Sequence, residues 1–156
     1  MAIFDAYAEF CDAVSVAVAA GTSLIGNQID SSVVRDLGRG KPVYLVITVD
    51  TTIATGGSAG TIQFALASDD SASIHTTTST RHLLTPAYVT DDSPDIDAGS
   101  VLFCGPIPDN GYAAYERYLG ILLIVGTTTI TAGKVNAFLT LDPVDVYKAY
   151  PQATVS

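Results

Sequence analysis

The sequence predicts an all-β protein, and three observations carry that reading: the choice of residues, a two-residue hydrophobic alternation, and turn-forming clusters between the alternating runs. The chain holds 15 Val, 12 Ile and 18 Thr, so β-branched residues exceed a quarter of it. Such side chains suit a pleated surface and lose rotamer freedom in a helix. Acidic usage agrees, with 14 Asp against 2 Glu. Asp favours turns, whereas Glu favours helix interiors. A length of 156 residues fits one domain with a single core, and an apolar share of 48% is enough to build that core.

The alternating runs follow in chain order. Val14-Ser15-Val16-Ala17-Val18 opens the series. In Val43 to Val49 the odd positions are Val, Leu, Ile and Val, and in Thr61 to Ala67 the even positions are Ile, Phe and Leu. From Lys134 to Leu141 the odd positions are apolar and the even ones mostly polar. Successive strand side chains point to opposite faces, so each run has one face for a core and one wetter face. Tyr118 to Val125 is apolar on both faces and reads as a central strand covered on both sides. The punctuation is Gly38 to Pro42, Thr55 to Gly60, Asp91 to Asp95, Pro108 to Gly111 and Thr131 to Lys134, the last read as a tight turn. This spacing favours a sandwich or barrel of about eight strands. Phe4 to Val14 is the one stretch compatible with a turn of helix. Residues 1–142 form a single domain in this reading, with 143–156 an arm of the same domain packed on its own sheet or on a neighbour.

Net charge is −9. Phosphate binding needs clustered Lys and Arg, so nucleic acid is an unsuitable partner, and so is an anionic membrane. A basic protein surface is a suitable one. Met1-Ala2-Ile3-Phe4-Asp5 lacks the basic start of a leader, and the longest apolar run, Leu119 to Val125, is strand-sized rather than membrane-spanning. Cys11 and Cys104 are the only cysteines and read as reduced, partly buried thiols.

Candidates for chemistry are few. His75 and His82 stand an odd number of positions apart, on opposite faces if they share a strand, and a metal site would need further ligands. Both read as ordinary strand or loop residues. The acidic run Asp91 to Asp97 lacks the glycine and later bidentate Glu of a helix-flanked calcium loop and reads as a solvated loop. Gly56-Gly57-Ser58-Ala59-Gly60 has no Lys-Ser/Thr pair or helix after it and reads as a hairpin tip rather than a phosphate cradle. No Gly-x-Ser-x-Gly elbow is present. Glu9 and Glu116 are the only glutamates available for a carboxylate pair. The sequence therefore calls for no cofactor and no enzyme activity. Trp is absent, which weakens a glycan-binding reading.

Basic residues cluster in one place, Arg35-Asp36-Leu37-Gly38-Arg39-Gly40-Lys41. In an acidic protein this loop suits contact with an acidic partner surface, or Arg35 and Asp36 pair locally. Here the chain also begins to resemble a known family. Arg35 to Gly40 followed by Pro42-Val43-Tyr44, then Glu116-Arg117-Tyr118-Leu119, Thr127 to Val135 and Phe138-Leu139-Thr140-Leu141-Asp142 resemble the cement (decoration) protein family of tailed phages, typified by the Bordetella phage cement protein. Phe10-Cys11-Asp12-Ala13 is similar to the Phe-Ser-Asp-Ala type opening of that family. The resemblance spans most of residues 4 to 142, and its motifs are structural. It implies a jelly-roll-like β-sandwich on the outer face of an HK97-type shell, bridging capsomers and partnered by the major capsid protein and by further copies of itself. Under that implication Arg35, Asp36, Arg39 and Lys41, with Phe4, Phe10 and Asp12 of the N-terminal segment, are the candidate contact residues. A tail or head–tail connector component and a glycan-binding module are the competing readings.

Overall fold

A computed structural model of the chain describes residues 6–33, 37, 40–90, 96–109 and 113–143. These residues form nine strands and include a 3-10 turn at Ala6–Ala8. The strands are β1 (Glu9–Ser15), β2 (Gly21–Asp30), β3 (Tyr44–Thr55), β4 (Thr61–Asp69), β5 (Thr80–Leu84), β6 (Tyr88–Val89), β7 (Val101–Pro106), β8 (Tyr118–Gly126) and β9 (Ile130–Thr140). The expected β-sandwich is found. One sheet has the order β1-β9-β3-β7, the other β2-β8-β4-β5, with β6 also pairing to β4, and every pairing is antiparallel. Of the ambiguous Phe4 to Val14 stretch, the described residues give the 3-10 turn at Ala6–Ala8 and then β1.

The pairing is nested. β1 pairs with β9, β2 with β8, β3 with β7, and β4 with β5 and β6. The last two act as one interrupted strand. Between them Thr85 keeps the ladder going, because its N–H donates to the Phe64 carbonyl (2.9 Å) and its hydroxyl accepts the Phe64 N–H (3.0 Å). This interruption at Pro86 is why nine strands stand where the spacing predicts about eight.

The alternation places the core. Leu45, Ile47 and Val49 of β3, Ile62, Phe64 and Leu66 of β4, Ile121 and Leu123 of β8, and Val135 and Ala137 of β9 all point between the sheets. Phe10 and Tyr115 complete that core with no exposed surface. Burying each large apolar side chain contributes about 1.5–3 kcal/mol. β8 lies between β2 and β4 and is covered on both faces, as its sequence predicts. A smaller cluster caps its outer face, where Ile74 packs over Ala65, Ala67 and Leu122. Gly120 makes this possible, since a Cβ there would come within 2.6 Å of the Ile74 side chain.

Three sequence expectations are corrected. Gly56 to Gly60 is not a hairpin tip: β3 and β4 belong to different sheets, so the segment crosses from one to the other. Thr131 to Lys134 is not a tight turn but part of β9, kinked at Gly133 (φ 132°), where a Cβ would stand 2.8 Å from Ile53 Cα. The bulge shifts the register against β3 and bends the strand around the core. Leu141 ends the alternation in solvent, beyond the last residue of β9.

Candidate functional site

The antiparallel order gathers the connections at two ends. At one end β2, β4, β7 and β9 finish and β3, β5 and β8 begin. The connection carrying the Arg35 to Lys41 cluster leaves β2 and enters β3 here. Arg35, Asp36 and Arg39, like Phe4, lie outside the described residues. Lys41 is exposed two residues ahead of Val43, and Asp12 is exposed on β1. No ion pair joins Lys41 and Asp12 among the described residues. Phe10 is fully buried in the core, so its side chain is unavailable to a partner. The acidic run is described only from Ile96, which is buried, and Asp97, which is exposed.

The polar chemistry of this end lies in Asp30, Ser68 and Asp69, which the sequence does not single out, and in His75, His82, Glu116 and Arg117, to which it assigns no chemistry. Asp69, at the end of β4, is largely buried and accepts three N–H groups: Ser71 N–H (3.0 Å), His75 N–H (2.9 Å) and the His75 ring at Nδ1 (3.0 Å). The backbone bond from His75 leads the causes that hold this carboxyl well below the usual carboxylate range. Asp69 thereby clips the segment 70–79 across the outer face of the sheet and seats Ile74. Nearby, Arg117 grips Asp30 with two bonds of 2.8 Å and lies over the Tyr118 ring. The Arg117 bond leads the causes that lower the Asp30 carboxyl to about 2. Both side chains are exposed, which keeps the pair weak in water.

Between these lies a third group. Ser68 is fully buried, accepts the Glu116 N–H (3.1 Å) and is bonded to His82 Nε2 (2.7 Å). The His82 ring stacks on Tyr115 at 3.9 Å, and the Tyr115 hydroxyl donates to the Pro108 carbonyl (2.6 Å). His75 and His82 do not share a strand: His75 sits in the 70–79 segment and His82 in β5. Serine, imidazole and carboxylate are all present, yet Ser68 has no exposed surface and His82 has no carboxylate partner among the described residues. What this arrangement can do is hold the connection between β7 and β8 against the sheet.

The remaining chemistry-bearing groups are dispersed. Cys11 and Cys104 are free thiols, and burial pushes Cys11 up to about 12, which keeps it protonated. Among the described residues no group of three His, Cys, Asp or Glu could hold a metal ion, and no helix is long and apolar enough to cross a membrane.

Fold and polar groups together define a two-sheet antiparallel β-sandwich whose buried side-chain hydrogen bonds fasten its own connections. A family model described as Bbp16 matches residues 10–139. The chain belongs to that family, the phage structural proteins typified by the Bordetella phage cement protein. No curated protein matches the chain.

Proposed function

We propose that the protein is a non-enzymatic capsid cement protein, a jelly roll that binds the outer surface of an HK97-type shell, bridges neighbouring capsomers and self-associates. The family match over residues 10–139 is the observation that carries this reading. The nested strand pairing supports it, since first-with-last pairing through to a central hairpin is the order of a rolled double sheet. A rigid sandwich fastened at its connections suits a part that must transmit load between shell subunits. Self-association turns several modest contacts into a strong attachment, and attachment stabilises the bound form of the shell by linkage.

The contact residues follow from the sequence: Arg35, Asp36, Arg39 and Lys41 on the connection between β2 and β3, with Phe4 and Asp12 of the N-terminal segment. The test is co-sedimentation of the purified protein with empty shells of its own phage. Wild-type protein is expected to pellet with the shells, and the double variant Arg35→Ala/Arg39→Ala to stay in the supernatant while keeping its thermal midpoint. Absence of wild-type protein from the pellet would overturn the cement reading. Unchanged retention of the folded double variant in raised salt would remove the loop from the contact.

A further inference from the structure

Charge is spread unevenly along this acidic chain. No Asp, Glu, Lys or Arg occurs in residues 13–29, 51–68, 83–90 or 118–133. The fold brings these stretches together. They supply nearly all of β2, β8 and β4 and the Leu83 to Thr90 part of the β5–β6 edge. The charged residues of that sheet, Asp30, Asp69 and Arg81, stand at one end of it.

The face of this sheet turned away from the core is apolar as well as uncharged. Register places Leu24, Leu122, Ala65 and Leu84 in one row across the four strands, and Thr22, Ile124 and Gln63 in the next. Val89 follows on the same face, opposite Thr61. Ile74 covers Ala65 and Leu122 from the charged end, while Leu24 and Ile124 are only partly buried. Leu84 and Val89 are 53% and 50% exposed. The other exposed large apolar side chains among the described residues, Tyr7, Val33 and Leu141, lie off the strands. Tyr88 turns inward and its hydroxyl donates to the Leu102 carbonyl, which fixes Val89 outward. The Gln63 side-chain N–H donates to the Thr85 carbonyl (2.7 Å), so this amide lies along the sheet.

We propose that this uncharged outer face, centred on Leu24, Ile124, Leu84 and Val89, is the surface on which a second copy of the chain docks. The proposal rests on the self-association in the cement reading and names its surface. Electrostatics selects the occupant. A basic partner finds no carboxylate on this face to pair with, and a charged partner surface would lose hydration there without compensation. Two copies of net charge −9 repel wherever their carboxylates face each other, and here they meet without doing so. Half-exposed apolar side chains gain by being covered. The edge itself is blunted against strand addition, because Pro86 interrupts it and β6 has only two residues. The contact is therefore face to face, and a self-complementary face closes as a two-fold pair. Such a contact is indifferent to screening by salt.

Sedimentation equilibrium of the purified full chain tests this. Wild type, Leu84→Asp/Val89→Asp and Leu141→Asp are compared at ionic strengths of about 0.05 M and about 0.5 M. Wild type is expected to form a dimer whose dissociation constant is unchanged or lower at the higher salt. The double variant is expected to dissociate about tenfold more readily or beyond, since covering one leucine is worth at least about that factor. Leu141→Asp, off the face, is expected to match wild type. A wild-type chain that stays monomeric, a dimer dissociated by salt, a double variant that pairs like wild type, or equal loss in Leu141→Asp would each overturn the proposal. Amide hydrogen exchange of wild type decides if the double variant does not fold: exchange from Leu84 to Val89 is expected to slow as chain concentration rises, and concentration-independent rates would sink the face. Co-sedimentation with empty shells separates the two ideas. A monomeric wild type that pellets while the folded double variant does not assigns the face to the shell and overturns the proposal. A dimeric wild type that fails to pellet sinks the cement reading and leaves the face standing.

Discussion

The two ends of the sandwich are built on the same strands with different chemistry. The end where β2, β4 and β7 finish is fastened by ionisable side chains: Asp30 with Arg117, Asp69 with His75, and His82 with Ser68. The opposite end is fastened by hydroxyl and backbone groups. There Thr90 Oγ1 accepts the Gly60 N–H (2.9 Å), Thr128 donates to Ala59 (3.1 Å), Thr55 donates to Ser58 (2.8 Å), and Ile130 N–H donates to Val18 (3.0 Å). Hydroxyls and amides keep their state across the working pH range and are indifferent to salt. Charged groups titrate, and exposed pairs are screened within about 8–10 Å at physiological ionic strength. The difference teaches that one end is tunable by solution conditions and the other is fixed, and the tunable end is the one bearing the basic connection.

Substitutions at each end sharpen this contrast. The largest effect belongs to Tyr115, which fills the core beneath the ionisable end and also anchors Pro108. Tyr115→Ala is expected to lower the unfolding free energy in urea by about 3–5 kcal/mol, the range for truncating a buried aromatic. Asp69→Ala comes next. It strands the N–H groups of Ser71 and His75 and is expected to lower stability by about 2 kcal/mol at neutral pH. Because the folded carboxyl lies below its ordinary value, its contribution is complete above about pH 5 and fades as pH falls. Wild type and Asp69→Ala should therefore converge in acid denaturation, and parallel curves would contradict the assignment. The smallest effect is that of Thr90→Val at the hydroxyl end, about 1 kcal/mol from the buried Gly60 N–H. Its loss should be the same at every pH and salt concentration tested. A pH-dependent Thr90 effect would break the division between the ends.

Much of the fold was legible because the inward faces are continuous. The Val43 to Val49, Thr61 to Ala67, Tyr118 to Val125 and Val135 to Leu139 segments of β3, β4, β8 and β9 carry alternation or apolar runs, and the residues these select are the ones that build the core. β2 was invisible for a physical reason. It is an edge strand with a single buried apolar side chain, Ile25, and Gly26 at φ 67° breaks its register against β8. A bulge in a strand and a turn between strands use the same residues, so Gly133 was misread as a turn. Gly56 to Gly60 was read correctly as a break, but composition cannot say which sheet the next strand joins. The polar site was illegible because its partners are remote in sequence: Ser68 meets Glu116 across 48 positions, and Arg117 meets Asp30 across 87. Each of those residues alone is an ordinary surface or turn type. Only the packing of β8 between β2 and β4 brings them together.

Nesting the first strand against the last has a kinetic consequence. The Ala13 N–H is satisfied by Asn136, 123 positions later, and among the described residues β1 has no sheet neighbour except β9. A nascent chain cannot close its four-stranded sheet until residues 130–140 have left the ribosome. Topologies dominated by such distant pairings fold slowly, on a scale of about milliseconds to seconds. Partly synthesised copies would therefore hold β1 and β3 without the strand that lies between them, and only chains synthesised past Thr140 would close that sheet over the core.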